Sequence, residues 1–284
     1  MARLQKRTTS CLPSFQQNRG GTKDDAGVLH LLAGVKPMTI AWHGSTRLKT
    51  SRNAIGSRVA ELEVNGVREQ WLLDTGSNYS LVSKSFAKKI GLRALPGSAE
   101  TGSGLTGPKN SLQAGVVPIM QVGAAALHNV VVLILDDANL KINLGDQSYQ
   151  INAILGYPIF RVMRVITFAQ NREFEAGKSA YRGRNGVPMY MRRLVPVVNL
   201  GVNGVNLPFT LDTGASGTDL SVRYYERFKD SDLSWREDED QSGGVGGTIK
   251  RKIYKQSLLR LTIGFHDCST KRRFYHSTEG KLRP

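Results

Sequence analysis

The sequence predicts a mainly β protein with two lobes, the first complete and the second partial. Thirty glycines and few aromatic residues suit strands joined by turns. An apolar strand leads twice into an Asp-Thr-Gly turn, within residues 71–77 and 209–215. Val-Asn-Gly-Val at 64–67 returns at 202–205, so this motif and the aspartate share an offset of 138 residues (202 − 64 and 212 − 74). Internal repetition of this kind indicates duplicated lobes.

The formal net charge of +16 lies almost entirely at the two ends of the chain. Residues 1–50 hold eight Lys and Arg against two Asp and Glu, and residues 250–284 hold ten against two. We interpret these ends as basic tails beside a nearly neutral globular part. The tails either add solubility or form an arm for nucleic acid or an anionic surface. We expect no nucleic-acid partner, because only the tail charge points to one.

The polar residues give no pattern typical of metal or cofactor binding. The five histidines form no paired zinc motif, and Cys11 and Cys268 form no disulfide framework. Glu237–Asp240 is predicted as an exposed acidic loop rather than a cation site. No apolar run reaches transmembrane length. We therefore expect no metal, no cofactor and no membrane span.

We divide the chain into four parts. Residues 1–55 are predicted as a basic, disordered N-terminal segment, 56–175 as lobe 1, 176–188 as a linker and 189–284 as a partial lobe 2. Lobe 2 is predicted to be cut short. Its counterpart of Gly156, taken at the offset of 141 residues seen later in the repeat (264 − 123), would fall at position 297, beyond Pro284.

Alternation and turn residues predict the elements of lobe 1 in order. Apolar residues alternate from Val59 to Val64, and Asn65-Gly66 is a strong hairpin signal before the return strand at 67–73. A short helix is predicted from Lys84 to Ile90, with a glycine just past its end. Further strands are predicted at 81–82, 112–122, 127–135, 149–155 and 165–168, with a helical turn at 158–163.

The two Asp-Thr-Gly turns suggest a pair of carboxylates, Asp74 and Asp212. Each strand delivers its aspartate to a tight turn, where glycine permits a backbone that other residues resist. If the turns face each other, the two carboxylates cannot both ionise, and the pair holds one shared proton. One carboxylate can then act as general base on a water molecule while the other acts as general acid.

The residues 73–77, Leu-Asp-Thr-Gly-Ser, together with Ile-Leu-Gly at 154–156, resemble the retropepsin-like (retroviral-type) aspartic protease family. The resemblance covers residues 56–175 well and residues 190–264 for the first half of a lobe. It implies an acid protease fold and an endopeptidase that hydrolyses peptide bonds with an activated water molecule. It also implies that an apolar-apolar-Gly segment passes beneath the Asp-Thr-Gly turn.

Site residues follow from the same resemblance. Asp74 and Asp212 would be catalytic, and Thr75 and Thr213 would brace the turns. Two glycine-rich loops would cover the cleft, and the first, at 102–107, also spells G-x-G-x-x-G. Pro108 follows that loop at once, so the helix required by a dinucleotide site is missing. The glycines expected at the substrate are Gly76, Gly214, Gly102, Gly104, Gly244 and Gly246.

Two alternatives stay open at this point. The chain either hydrolyses a protein or peptide substrate, or keeps the lobe as an inactive module for dimerisation or peptide binding. If it is active, Asp74 pairs either with Asp212 of the same chain or with Asp74 of a second chain in a symmetric homodimer through lobe 1. The incomplete second lobe favours the inactive module and the homodimer. The equal offsets favour an active chain in which Asp74 pairs with Asp212.

Overall fold

The computed structural model describes residues 23–101, 110–144, 146–164, 166–168, 173–177, 187–192, 194–202, 204–215, 217–230, 235–263 and 266–275. The described chain is mainly β with short helices, as predicted. The predicted loop at 102–107, most of the predicted linker and residues 1–22 lie outside the described residues.

The described residues of lobe 1 and of the segment before it form short helices and thirteen strands. The helices are α1 (Lys23–Leu31), α2 (Lys84–Lys89), α3 (Tyr157–Met163) and a 3-10 helix at Asp137–Leu140. The strands are β1 (Thr39–Trp42), β2 (Thr46–Arg52), β3 (Arg58–Val64), β4 (Val67–Asp74), β5 (Ser80–Ser83), β6 (Ala99–Thr101), β7 (Asn110–Val122), β8 (Ala125–Leu135), β9 (Lys141–Leu144), β10 (Gln147–Gln150), β11 (Ala153–Gly156), β12 (Ile166–Phe168) and β13 (Glu173–Ala176).

Lobe 2 has six described strands and one helix. They are β14 (Met189–Arg192), β15 (Val195–Val202), β16 (Val205–Thr210), α4 (Val222–Phe228), β17 (Arg236–Gly244), β18 (Gly247–Ile263) and β19 (His266–Tyr275).

Six strands of lobe 1 form a closed barrel. Its order is β3-β4-β11-β5-β8-β7, and a pairing of β7 with β3 closes it. Every second side chain along a strand points into the barrel, which explains the alternation of apolar residues at 59–64. The interior is filled by large apolar side chains, among them Trp71, Leu73, Met120, Leu127, Leu155 and Phe160. This packed interior fixes the end of β4, where Asp74 lies.

The local sequence explains the turns and helices that connect the strands of the barrel. The β3–β4 hairpin turns at Asn65 and Gly66, both with positive φ (50° and 77°), as its Asn-Gly signal predicts. The predicted helix at 84–90 is α2, which begins after Ser83, whose Oγ accepts a hydrogen bond from the Phe86 N–H. The predicted helical turn at 158–163 is α3, with proline in its first turn.

Lobe 2 repeats the hairpins of lobe 1. Val202 pairs with Val205 in the β15–β16 hairpin as Val64 pairs with Val67 in β3–β4. The long strand β18 pairs with β17 and β19, as β7 pairs with β6 and β8. Its core is small and contains Val198, Leu200, Val202, Leu220, Tyr224 and Leu261. The predicted duplication is therefore present in the fold.

The prediction of a disordered segment at 1–55 was wrong for its described part. Residues 23–52 form α1, β1 and β2, and β1 pairs with β8 while β2 pairs with β3. Val28 and Leu31 of α1 and Ile40 of β1 are buried. Apolar residues spaced within a basic, polar stretch are enough to bury one side of each element against lobe 1.

Two predictions about the C-terminal part were also wrong. The basic residues from 250 onward lie in β18 and β19 up to residue 275 rather than in a tail. Glu237–Asp240 belongs to β17 rather than to a loop, and β17 pairs with the basic strand β18. Glu237 forms an ion pair with Lys252 at 2.6 Å. Opposite charges on neighbouring strands therefore explain both runs.

Within the ranges described above, no helix is long and apolar enough to cross a membrane.

Candidate active site

Asp74 lies where β4 leaves the barrel. Trp71, Leu72 and Leu73 before it are buried, so the strand end is held firmly. Asp74 Oδ1 accepts hydrogen bonds from the N–H of Gly76 at 2.8 Å and of Ser77 at 3.0 Å. These bonds fix the carboxylate inside its own turn.

The turn of lobe 2 has the same internal geometry. Asp212 Oδ1 accepts hydrogen bonds from the N–H of Gly214 at 2.8 Å and of Ala215 at 3.0 Å. The repeat seen in the sequence therefore extends to the hydrogen bonds of both turns.

Two threonines join the turns across the lobe boundary. Thr75 N–H donates to Thr213 Oγ1 at 3.1 Å, and Thr213 N–H donates to Thr75 Oγ1 at 3.0 Å. The Thr75 hydroxyl donates to the carbonyl of Leu211 at 2.5 Å, and the Thr213 hydroxyl donates to that of Leu73 at 2.6 Å. Each hydroxyl thus donates and accepts, and the exchange brings the two turns into a two-fold arrangement.

The glycines of the turns face the opposite aspartates. A Cβ on Gly76 would lie 2.6 Å from Asp212 Oδ2, and a Cβ on Gly214 would lie 2.7 Å from Asp74 Cγ. Distances below 3.0 Å leave no room for a methyl group. Glycine is therefore required at both positions for the two carboxylates to meet, and a contact of these glycines with substrate stays a prediction.

The meeting of the carboxylates changes the titration of Asp74. Burial, the negative charge of Asp212 and a side-chain hydrogen bond with Asp212, in that order, raise the pKa of Asp74 from its ordinary 3.8 to about 7. The N–H groups of Gly76 and Ser77 act in the opposite direction, because they stabilise the charged form. The pair therefore retains a proton well above the pH at which an isolated aspartate loses it.

The predicted apolar-apolar-Gly segment lies directly beside the Asp74 turn. It forms β11, which runs parallel to β4 with Gly156 opposite Asp74, and antiparallel to β5. Gly156 N–H donates to Ser80 Oγ at 3.0 Å. A Cβ on Gly156 would overlap the carbonyl group of Tyr79, so only glycine fits at this position.

Comparison with known families gives one match at this site. Residues 60–159 match the family model described as "Aspartyl protease". The match lies within lobe 1 and includes the Asp74 turn and β11. This confirms the retropepsin-like resemblance drawn from residues 73–77 and 154–156.

Two solved structures are similar to the chain. A retropepsin-like aspartic protease from Rickettsia conorii has 17% sequence identity, covers 49% of this chain and 91% of its own, and gives a TM-score of 0.31. Basic 7S globulin from soybean has 10% identity, covers 81% of each chain, and gives a TM-score of 0.48. The comparison with curated proteins gives no match.

Lobe 1 supports its Asp-Thr-Gly turn better than lobe 2 does. Asp74 is flanked by β11 and a buried strand, whereas Asp212 is exposed and the side chain of Leu211 is 42% exposed. Among the described strands, β16 pairs with β15 alone. This asymmetry explains why burial acts on Asp74, while the incompleteness of lobe 2 stays a prediction.

The second glycine-rich loop, with Gly244 and Gly246, lies against lobe 1. It forms the turn between β17 and β18. Gly246 N–H donates to the carbonyl of Asn139 at 2.8 Å, and Asn143 N–H donates to Thr248 Oγ1 at 2.9 Å. Val245 packs against the apolar cluster of lobe 1 that contains Leu140 and Ile142. We call this contact the hairpin dock.

The first glycine-rich loop, with Gly102 and Gly104, lies outside the described residues. The strands on either side of it, β6 and β7, pair with each other up to Thr101 and Asn110. The position of this loop over the cleft stays a prediction.

Sequence reasoning missed one residue at the meeting of the lobes, Ser57. Its hydroxyl donates to the carbonyl of Gly214 at 3.2 Å. A single serine before a strand carries no recognisable pattern, and its partner is 157 residues away. In the part of the chain that the structure describes, no group of three or more His, Cys, Asp or Glu could hold a metal ion.

Proposed function

We propose that this chain is an aspartic-type endopeptidase in which Asp74 and Asp212 together activate a water molecule. One observation carries the proposal. The glycine of each Asp-Thr-Gly turn lies against the aspartate of the other turn, and the threonines hold the turns in that arrangement. The match of lobe 1 to the aspartyl protease family supports the same activity.

The asymmetry of the site assigns a role to each carboxyl group. Asp74 is the buried member, so it holds the shared proton and donates a hydrogen bond to the carbonyl oxygen of the scissile peptide. Asp212 is the exposed member and accepts a proton from the attacking water molecule. The water oxygen bonds to the carbonyl carbon, and the resulting tetrahedral intermediate collapses when the leaving nitrogen receives a proton from the pair.

The other predicted site residues support this chemistry. Thr75 and Thr213 hold the two carboxyl groups at a fixed separation, which removes the entropic cost of bringing them together during the reaction. The contacts of the hairpin dock support the expectation that the loop with Gly244 and Gly246 covers the cleft. The resemblance implies the same role for Gly102 and Gly104.

The test is digestion of an unfolded protein substrate over a pH series. Wild type should cleave in acid and lose activity as pH rises through about 7, where the proton on Asp74 is lost. Asp74→Asn should be inactive, while the exposed control Asp146→Asn should cleave as wild type does. A chelator should change nothing. Loss of activity with a chelator and its return with zinc would contradict the proposed chemistry.

The exposure of Asp212 and Leu211 favours a second candidate, an inactive module that binds peptides or a second chain. A poorly supported turn holds its carboxylate with less precision than catalysis needs. Peptide binding by wild type without cleavage at any pH between 3 and 8 would favour this candidate over the protease.

A further inference from the structure

Ser57 joins the two lobes beside the aspartates. It directly precedes β3, and its side chain is buried. Its hydroxyl donates a hydrogen bond to the carbonyl oxygen of Gly214, which lies two residues after Asp212. A lobe 1 side chain therefore holds the backbone of the lobe 2 turn.

Ser57 is itself held in place by a small loop. Its N–H donates to Asn53 Oδ1 at 2.9 Å, and its carbonyl accepts from the Asn53 N–H at 3.0 Å. Gly56, with φ of +79°, allows the tight turn between them. The backbone of Ser57 is therefore held on both sides, and the hydrogen bond to Gly214 sets the direction of its hydroxyl.

Gly214 accepts this hydrogen bond and also contacts both aspartates. Its N–H donates to Asp212 Oδ1 at 2.8 Å, and its α-carbon faces the carboxyl group of Asp74. A displacement of Gly214 therefore moves Asp212 and also changes the gap to Asp74.

The contact has no symmetric counterpart. The threonine bonds are reciprocal, but the position that repeats Ser57 at the offset of 138 residues (195 − 57) is Val195, which has no side-chain donor. Lobe 2 is also the lobe whose turn is more exposed. Ser57 thus supports the Asp212 turn from lobe 1. The described strands of lobe 2 do not give this turn an equivalent support.

We propose that Ser57 is a positioning residue that holds the Asp212 turn of lobe 2 against Asp74. The proposal rests on the proposed peptidase function for its kinetic consequence only. Without the hydroxyl, the Gly214 carbonyl loses its partner from lobe 1, and the Asp212 turn relaxes away from Asp74. The geometry for proton transfer is then reached less often, so the loss appears in kcat.

The test compares Ser57→Ala with a matched control, Thr46→Val. Thr46 of β2 also carries a buried hydroxyl that donates to a backbone carbonyl, that of Val122 in lobe 1 at 3.1 Å, but its hydrogen bond does not reach lobe 2. Ser57→Ala should lower kcat roughly tenfold with KM within about twofold of wild type, a change equal to the loss of about one hydrogen bond. Ser57→Thr should restore kcat.

The pH profile separates positioning from general stability. Burial is the largest cause of the raised pKa of Asp74, the negative charge of Asp212 and its hydrogen bond come next, and the N–H groups of Gly76 and Ser77 oppose them. When Asp212 moves away, the pKa of Asp74 falls, so the basic limb of the Ser57→Ala profile should move to lower pH. Thr46→Val should keep both kcat and this limb. Equal kcat and equal limbs in Ser57→Ala and Thr46→Val would overturn the proposal.

A second measurement keeps the proposal testable if wild type proves inactive. The carboxyl carbon of Asp74 can be titrated by NMR in wild type and in Ser57→Ala without any substrate. A lower titration midpoint in Ser57→Ala supports the positioning role even though the peptidase proposal fails. An unchanged midpoint overturns the positioning role.

Discussion

Replacement of Asp74 by asparagine should stabilise the protein at neutral pH. Asparagine has the same shape, and its Oδ1 can still accept the hydrogen bonds from the N–H of Gly76 and Ser77. It carries no charge, so the cost of burying a carboxylate beside Asp212 disappears. In wild type that cost appears only when the proton is lost.

The magnitude follows from the pKa of Asp74. Folding raises this pKa from 3.8 to about 7, so the folded state binds the proton more tightly than the unfolded state. The resulting stabilisation is complete below pH 4 and is lost as pH rises to 7. Each pH unit is worth about 1.4 kcal/mol, which sets an upper bound of about 4 kcal/mol over this range. Partial exposure of Asp74 lowers the expected value to about 2–3 kcal/mol.

The assay is urea unfolding of wild type and Asp74→Asn at intervals between pH 3 and 8. The difference between the two free energies of unfolding reports the titration of the Asp74–Asp212 pair, because groups outside the pair titrate in both proteins. It should shift in favour of the variant by about 2–3 kcal/mol between pH 4 and 7. Asp146→Asn controls for the loss of an exposed carboxylate. A difference for Asp74→Asn that stays constant with pH would refute the inference that Asp74 holds the shared proton.

Two further predictions concern glycines with no room for a side chain. Gly156→Ala should destabilise the protein by about 3 kcal/mol or more, because its methyl group would overlap the backbone of Tyr79, whereas Gly217→Ala, in open space, should change little in thermal unfolding. Gly243→Ala should cost about 1–3 kcal/mol by pressing on Ile142 at the hairpin dock, and the cost should shrink in an Ile142→Ala background. An additive double variant would show that the dock does not couple these two positions.

Local signals in the sequence were enough for most of lobe 1. The Asn-Gly hairpin, the strand alternation before it and the glycine just past the end of α2 each act within a few residues. The barrel then follows from burying the apolar positions. Gly156 could be placed because the family resemblance implies an apolar-apolar-Gly segment at the Asp-Thr-Gly turn, and the structure shows the close backbone approach of Tyr79 that requires glycine there.

Contacts between distant segments were beyond the same reasoning. The helix α1 has a weak pattern of its own, and Val28 and Leu31 become buried only because lobe 1 presents an apolar surface to them. The acidic run at 237–240 was interpreted alone, although its basic partner strand lies further along the chain. A charge run has a different meaning when a neighbouring strand neutralises it.

The candidate site divides in the same way. Asp74, Asp212 and the two threonines could be predicted because a repeated motif implies that its copies have related positions. Ser57 belongs to no repeat, since Val195 stands at the equivalent position, and the hairpin dock joins segments about a hundred residues apart. Such asymmetric contacts are decided by how the two lobes meet, which no local pattern records.

The most direct test of the central claim is the peptidase activity of Asp212→Asn, measured together with the specific activity of wild type over a dilution series. If Asp74 and Asp212 of one chain form the catalytic pair, Asp212→Asn is inactive at every concentration and wild type keeps its specific activity on dilution. An active Asp212→Asn, with specific activity that falls as the protein is diluted, would contradict this account. It would instead indicate a homodimer in which two copies of Asp74 meet.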